Sequence, residues 1–210
     1  MILSGKKGLD ALLDAYGSST SALPDIAGCY AGGKLVICGD AACIWEDLDD
    51  FDCKLDAVRG RVAKDGWQFM AVNKIGETFP GDIEHWYSNA SALLAKFVAA
   101  RRTEYAKEFS VRHTHSCQTG AMWTWPWPAQ GTSGLGAVLT AVGLGYEKIV
   151  IAGMPLDDGP HNGEPPWRGT KFATSEVPDA DPHWQQAIAV VLKGRVKSMS
   201  GRTREWLGAP

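Results

Sequence analysis

Apolar segments that alternate with helical segments predict an α/β fold with an open, mainly parallel sheet and helices on both faces. Two runs, Lys34–Gly39 and Lys148–Ala152, are almost continuously apolar, which is typical of strands covered on both sides. Between them lies Thr132–Leu144, a nearly all-apolar stretch that predicts a buried helix. Strands that alternate with helices build right-handed parallel units. The sequence therefore predicts a single domain of the Rossmann-like class.

The predicted elements follow from periodicity and from glycine or proline at their ends. Strands are expected at 34–39, 67–72, 82–87, 109–113, 148–152 and 195–199, and helices at 9–16, 44–51, 55–63, 91–102, 132–144 and 184–192. We expect residues 1–32 to form an N-terminal extension with a short helix and residues 33–208 to form the domain. Residues 155–182 contain several prolines and little periodicity, which predicts a long loop.

Composition narrows the classes of function. The chain of 210 residues has a formal net charge of −3, which gives no electrostatic case for tight nucleic-acid binding. Its five cysteines are an odd number without metal-ligand spacing, and this favours a reducing compartment. We find no signal-peptide pattern or membrane-length apolar run, so we expect a cytoplasmic protein. The expected partner is a small-molecule or nucleotide ligand. We expect no membrane binding, and nucleic acid is a candidate partner only as the acceptor of a transferred group.

Two glycine-containing turns are candidate ligand sites, because ligands of open α/β sheets bind at the carboxyl ends of the strands. The first turn follows the first strand and contains Gly39, Asp40 and Ala41. The second opens the buried helix, where a hydroxyl can cap the helix and glycines allow close approach to the backbone; it contains Gly131, Thr132, Ser133 and Gly134. Asn73 follows the second core strand and is a candidate for hydrogen bonding to a ribose or base. Ordinary tight turns and a plain helix cap are the structural alternatives.

Candidate catalytic groups follow the strand at 148–152. His161 is a candidate general acid or base, and Asp157 is a candidate to orient it or to hold a metal, with Asp158 beside it. Turn formation by Asp-Gly-Pro is the structural alternative.

Other histidines and a tryptophan cluster have structural interpretations as well. His85 is expected to be a hydrogen-bonded core residue, whereas His113 and His115 share one side of a strand but lack a clear third metal ligand. Trp123, Trp125 and Trp127 form either a lid that stacks on a base or sugar, or a rigid core loop.

Together these motifs resemble a superfamily of Rossmann-like transferases. The resemblance is carried by Gly39-Asp-Ala-Ala42, Asn73, Gly131-Thr-Ser-Gly134, Gly153-Met-Pro-Leu-Asp157 and the closing segment Arg195 to Arg204. The superfamily includes bacterial CMP-sialic acid-dependent sialyltransferases and the pterin diphosphokinase-like proteins of the domain-of-unknown-function 115 group. The stretch from Gly33 to Gly208 also resembles an uncharacterised family of tailed-phage genomes. If the chain is phage-encoded, the host cytoplasm is its expected location.

The resemblance implies that the two turns and Asn73 surround a nucleotide and that His161 corresponds to a catalytic histidine. The first turn departs from the superfamily pattern Gly-x-Gly-Pro-Ser, and Asp40 would repel a phosphate placed directly there. The implied function is a nucleotide-dependent, glycosyltransferase-like enzyme that moves a sugar or similar group from a nucleotide donor. The alternatives are an ATP-dependent pyrophosphokinase of the pterin type, which would need Mg²⁺, and a non-catalytic phage protein that binds a nucleotide-like metabolite.

Overall fold

The architecture is taken from a computed structural model that describes residues 3–16, 22–56, 60–63, 66–105, 110–127, 132–157, 159–163 and 181–210. The main strands are β1 (Lys34–Cys38), β4 (Trp67–Val72), β5 (Ile83–Tyr87), β6 (Val111–Ser116), β7 (Trp123–Thr124), β8 (Lys148–Ala152) and β9 (Val196–Ser198). A hairpin is formed by β2 (Lys54–Asp56) and β3 (Gly60–Val62).

The α-helices are α1 (Leu3–Ala15), α2 (Ile44–Asp50), α3 (Ile75–Thr78), α4 (Ser91–Tyr105), α5 (Ser133–Leu144) and α7 (Gly201–Leu207). Between β8 and β9 lies α6, which is α-helical over 181–187 and π-helical over Ile188–Leu192. No helix within the described ranges is long and apolar enough to cross a membrane.

The seven-stranded sheet has the order β7-β6-β5-β4-β1-β8-β9, and all its neighbouring strands pair in parallel. The chain moves outward from β1 to β7 and then returns to place β8 on the other side of β1. The carboxyl ends of the central strands therefore meet at one edge, which we call the carboxyl edge. This arrangement confirms the predicted Rossmann-like class.

Helices cover both faces of the sheet because alternate residues of each central strand are buried on opposite sides. In β1, Leu35 and Ile37 pack with α1, α5 and α6, whereas Val36 and Cys38 pack with α2, α3 and α4. The continuous apolar runs that predicted these strands are the direct result of this two-sided burial.

The three glycines of α5 allow close packing on its backbone, in two cases by aromatic rings. A Cβ at Gly136 would lie 2.2 Å from the Tyr87 hydroxyl, and one at Gly143 would lie 2.6 Å from the Trp125 ring. The third, Gly134, faces Met154. The helix can therefore lie close to the sheet, buried along nearly all its length.

Two predicted elements need correction. The helix expected at 55–63 is wrong: β2 and β3 pair antiparallel, with residues 57–59 outside the described ranges. Gly60 has a left-handed φ of 69°, which an α-helix does not allow, and its α-carbon packs against the carbonyl of Pro80. The fourth predicted strand, 109–113, is observed as β6 and ends three residues later, because His115 and Ser116 are buried in the sheet.

Burial also distinguishes between the alternatives that the sequence leaves open for His85 and for the tryptophan cluster. His85 is fully buried and hydrogen-bonds to both His115 and Tyr146, as predicted for a core histidine. Trp125 and Trp127 are buried and stack with ring centroids 5.7 Å apart. These two tryptophans therefore form a core loop, whereas Trp123 is half-buried at the start of β7.

Candidate functional site

The carboxyl edge brings together most of the residues that the sequence singled out. Thr132, Ser133 and Gly134 begin α5 there, since a helix that connects parallel strands runs antiparallel to them. Asn73 follows β4 and His161 lies on the loop after β8. Gly131 and Asp158 lie outside the described residues.

The start of α5 has a side-chain cap, as predicted. The Thr132 Oγ1 atom accepts a hydrogen bond from the backbone N–H of Leu135 at 3.2 Å and another from the indole of Trp184 at 3.3 Å. The N-terminus of this 12-residue helix carries partial positive charge, which favours an anion. Thr132 thus fixes this end of α5 and connects it to α6.

Asn73 is held in a left-handed conformation with φ of 56°. Its backbone N–H donates to the Tyr87 carbonyl at 2.9 Å, and its carbonyl accepts from the Trp86 indole at 2.8 Å. Asparagine tolerates this conformation better than most residues. Both polar backbone groups of Asn73 are therefore hydrogen-bonded, and these bonds hold its half-buried side chain at the carboxyl edge.

Asn89, which the sequence analysis missed, is the second residue after the end of β5. Its Oδ1 accepts from the Tyr87 hydroxyl at 2.9 Å, which identifies Nδ2 as the donor side of the amide. Its backbone N–H donates to Ser133 Oγ at 3.4 Å. The polar pair Ser88 and Asn89 after a predicted strand was the signal that could have identified it, as the single asparagine after β4 identified Asn73.

The first turn and the loop after β8 are joined through their backbones. Ala41 and His161 form an isolated antiparallel bridge, and the N–H of Asn162 donates to the Asp40 carbonyl at 2.7 Å. The indole of Trp45 donates to Asn162 Oδ1 at 3.1 Å. The loop that carries His161 is therefore docked onto the Gly39–Ala42 turn.

This docking also defines the tautomer of His161. The Nδ1 atom lies 3.2 Å from the Asp40 carbonyl oxygen, which can only accept a hydrogen bond. Nδ1 must therefore carry the proton in the neutral imidazole, and Nε2 is the nitrogen that can accept one. The carboxylate of Asp157 is exposed and accepts from the Gly159 N–H at 2.9 Å, which shapes the turn before His161.

Met154 separates the two glycine turns. A Cβ at Gly39 would lie 2.1 Å from Met154 Cγ, and a Cβ at Gly134 would lie 2.7 Å from Met154 Sδ. The backbone carbonyl of Gly153 also excludes a Cβ at Gly39, whereas the close atom at Gly134 is the sulfur of the flexible Met154 side chain. Met154 is half-buried and lies between the two turns.

A second imidazole lies at the same edge. His183 directly precedes Trp184, whose indole contacts the α5 cap, and its side chain is half-buried. Within the described ranges there is no group of three or more histidine, cysteine or acidic residues arranged to hold a metal ion.

Solved structures of the sialyltransferase CstII share this fold. The Campylobacter jejuni enzyme with the substrate analogue CMP-3FNeuAc aligns with a TM-score of 0.52 and 11% identity, over 84% of this chain and 86% of that chain. A complex with a trisaccharide acceptor and CMP gives a TM-score of 0.51, with 11% identity over 84% and 86% of the two chains. At such low identity the likeness establishes the fold. The resemblance to the sialyltransferase-like superfamily stays a prediction, as do the pterin-type and phage resemblances.

Comparison with protein-family models gives no match, and neither does comparison with curated proteins.

Proposed function

We propose that this protein is a nucleotide-dependent transferase of the glycosyltransferase type, which moves a sugar or similar group from a nucleotide donor to a hydroxyl acceptor. The observation that carries the proposal is the convergence of Asn73, Asn89 and the capped start of α5 at the carboxyl edge. The fold is shared with an enzyme whose structures contain CMP and a CMP-linked analogue.

The charges favour one orientation of the nucleotide. The start of α5 attracts a phosphate through its backbone N–H groups and helix dipole. The first turn is less suitable, because Asp40 carries a negative charge. We therefore place the phosphate at Ser133 and Gly134, with the amides of Asn73 and Asn89 available to the ribose or base.

His161 is the proposed general base. In the proposed step the acceptor oxygen attacks the sugar carbon, and the bond from that carbon to the nucleotide phosphate breaks. The phosphate leaves with the bonding electron pair, and Nε2 of His161 takes the acceptor proton. Asp40 orients the imidazole through its carbonyl, and Asp157 shapes the loop that carries it.

A binding panel tests the nucleotide part of the proposal. Thermal unfolding is measured with CMP, CDP, UDP, GDP, ADP and ATP, each with Mg²⁺ and with chelator. A nucleotide at about 100 times its Kd adds about 2.7 kcal/mol and raises Tm by roughly 5 to 10 °C. We expect at least one nucleotide to raise Tm. This increase should be smaller in Ser133→Ala and in Asn73→Ala. It should be unchanged in Lys148→Ala, which lies at the opposite end of β8. No shift with any of the six nucleotides would overturn the proposal.

Two histidine variants test the catalytic assignment once a donor is found. We expect His161→Ala to retain nucleotide affinity and to reduce donor turnover by about 10² to 10⁴-fold, the range typical of a lost general base. His183→Ala is the comparison, since this imidazole lies at the same edge. Loss of turnover in His183→Ala with full activity in His161→Ala would overturn the role of His161.

A further inference from the structure

A buried carboxylate lies beside the candidate site and has no part in the proposed transfer step. Asp47, on α2, is 6% exposed. Its Oδ2 atom accepts from the Gly153 N–H at 2.7 Å and from the Ser200 hydroxyl at 2.7 Å, and the Cys43 thiol lies 3.7 Å away. Burying a carboxylate is costly unless such donors surround it.

These donors belong to separate segments of the chain. Gly153 forms the turn after β8, Ser200 directly precedes α7, and Cys43 directly precedes α2. Asp47 therefore joins α2 to two turns that are remote in sequence. A single carboxylate oxygen contacts all three donors.

The turn at Gly153 is sterically confined. Gly153 has a left-handed φ of 65°, and a Cβ there would lie 2.8 Å from both the Gly39 carbonyl oxygen and the Cβ of Ile44. Its own carbonyl accepts from the Ala41 N–H at 3.1 Å. Once Asp47 binds the Gly153 N–H, both polar backbone groups of this residue are fixed.

The position of Met154 follows from this turn. Met154 is the next residue, and its carbonyl accepts from the Thr203 hydroxyl at 2.9 Å. Its side chain lies against Gly39 and Gly134, the two glycines of the candidate ligand turns.

We propose that Asp47 is a positioning residue: it holds the Gly153 turn so that Met154 separates the first turn from the start of α5 and sets the space available to a ligand there. The part that concerns the ligand rests on the proposed function. The part that concerns Met154 does not.

The test uses methionines labelled with ¹³C at the ε-methyl group in the full chain. The chain has five methionines, and Met154→Leu assigns the signal of Met154. We expect Asp47→Ala to shift or broaden the Met154 methyl signal while the Met70 signal, from the sheet core, stays in place. Asp50→Ala, at an exposed carboxylate of the same helix, is the matched control and should change neither signal. An unchanged Met154 signal in folded Asp47→Ala would overturn the proposal.

Asp47→Asn covers the case in which the alanine variant fails to fold. Its amide oxygen can still accept from the Gly153 N–H, so we expect a smaller shift of the Met154 signal in the same direction. The absence of any change in this variant, with the alanine variant unfolded, would also count against the proposal.

Titration with CMP then tests the ligand part. We expect Asp47→Ala to weaken CMP binding by the order of tenfold, the lower end of the range for residues that orient metal ligands. Asp47→Asn should weaken it less, and Asp50→Ala should bind normally. Equal affinity in the Asp47 variants and the wild type would overturn the effect on the ligand. If wild-type protein does not bind CMP, then CMP is not the nucleotide of the proposed function. The Met154 signal still decides whether Asp47 positions the turn.

Discussion

The indole N–H of Trp125 donates to Nδ1 of His115 across 3.0 Å, and both side chains are buried. Because the indole can only donate, His115 must carry its proton on Nε2, which then donates to His85 Nδ1 at 2.9 Å. His85 in turn donates from Nε2 to the Tyr146 oxygen at 2.9 Å, and Tyr146 donates to Gln68 at 2.7 Å. One buried tryptophan thus sets the direction of a hydrogen-bond chain across the sheet.

Replacement of Trp125 tests that relationship. Trp125→Phe keeps an aromatic ring but leaves Nδ1 of His115 without its donor, at a cost of about 1 to 3 kcal/mol in the free energy of unfolding, in addition to the lost packing. Urea unfolding measures the difference. The control is Trp206→Phe at a half-buried indole. An equal loss of unfolding free energy in both variants would contradict the proposed hydrogen-bond chain.

Acid should destabilise the protein through the same histidines. Burial, together with the neighbouring histidines, lowers the pKa of His85 to about 2 and that of His115 to about 3. The unfolded chain, with histidine pKa values near 6.5, therefore binds more protons than the native state as the pH falls below that value. Stability is full above about pH 6.5 and decreases below it by up to about 1.4 kcal/mol per pH unit for each histidine, until the native pKa values are reached.

Urea unfolding at several pH values between 7 and 4 measures this slope. His85→Gln removes one titrating group and retains one donor and one acceptor, so its stability should fall less steeply with pH than that of the wild type. Identical slopes would show that His85 is not responsible.

Gly136→Ala should destabilise the protein although alanine favours helices. The new Cβ would lie 2.2 Å from the Tyr87 hydroxyl, and overpacking of this kind costs about 1 to 3 kcal/mol, more than the gain of about 1 kcal/mol in helix propensity. Thermal unfolding measures the result. The double variant Gly136→Ala/Tyr87→Phe removes the clashing oxygen and should recover part of the loss; a stabilised single variant would contradict the close packing of α5.

Arg101 should be much more important for stability than its neighbour in sequence. Its side chain is buried, and the guanidinium donates to the carbonyls of Gly76, Phe79 and Gly81. Arg101→Met leaves these acceptors without their donor, and we expect a loss of about 3 kcal/mol or more. Arg102→Met, on the exposed side of α4, should change stability by less than about 0.5 kcal/mol in the same urea experiment.

The central strands were predictable because their sequences are apolar at consecutive positions. The bounds expected for β4 and β8 are those observed, and β1 differs by one residue. The hairpin of β2 and β3 was not predictable. Its apolar and polar residues alternate only weakly, and the spacing of its apolar residues is also compatible with a helix. What excludes the helix is the packing of Gly60 on Pro80, a tertiary contact that the local sequence does not reveal.

The candidate site was predictable turn by turn, whereas its internal contacts were not. The cap at Thr132 and the turn at Asn73 follow from local chemistry. The place of Met154 between Gly39 and Gly134, and the contact of Asp47 with Gly153, depend on the strand order. Residues distant in sequence meet there only because β8 returns to the side of β1.

The most direct test of a nucleotide site at the carboxyl edge is amide chemical-shift mapping of ¹⁵N-labelled protein titrated with CMP. We expect saturable shifts that are largest at four residues of the carboxyl edge: Asn73, Asn89, Ser133 and Gly134. Residues at the opposite ends of the strands, such as Lys34 and Lys148, should stay unchanged. Shifts centred on those opposite ends, or no saturable shift at all, would contradict a CMP site at the start of α5.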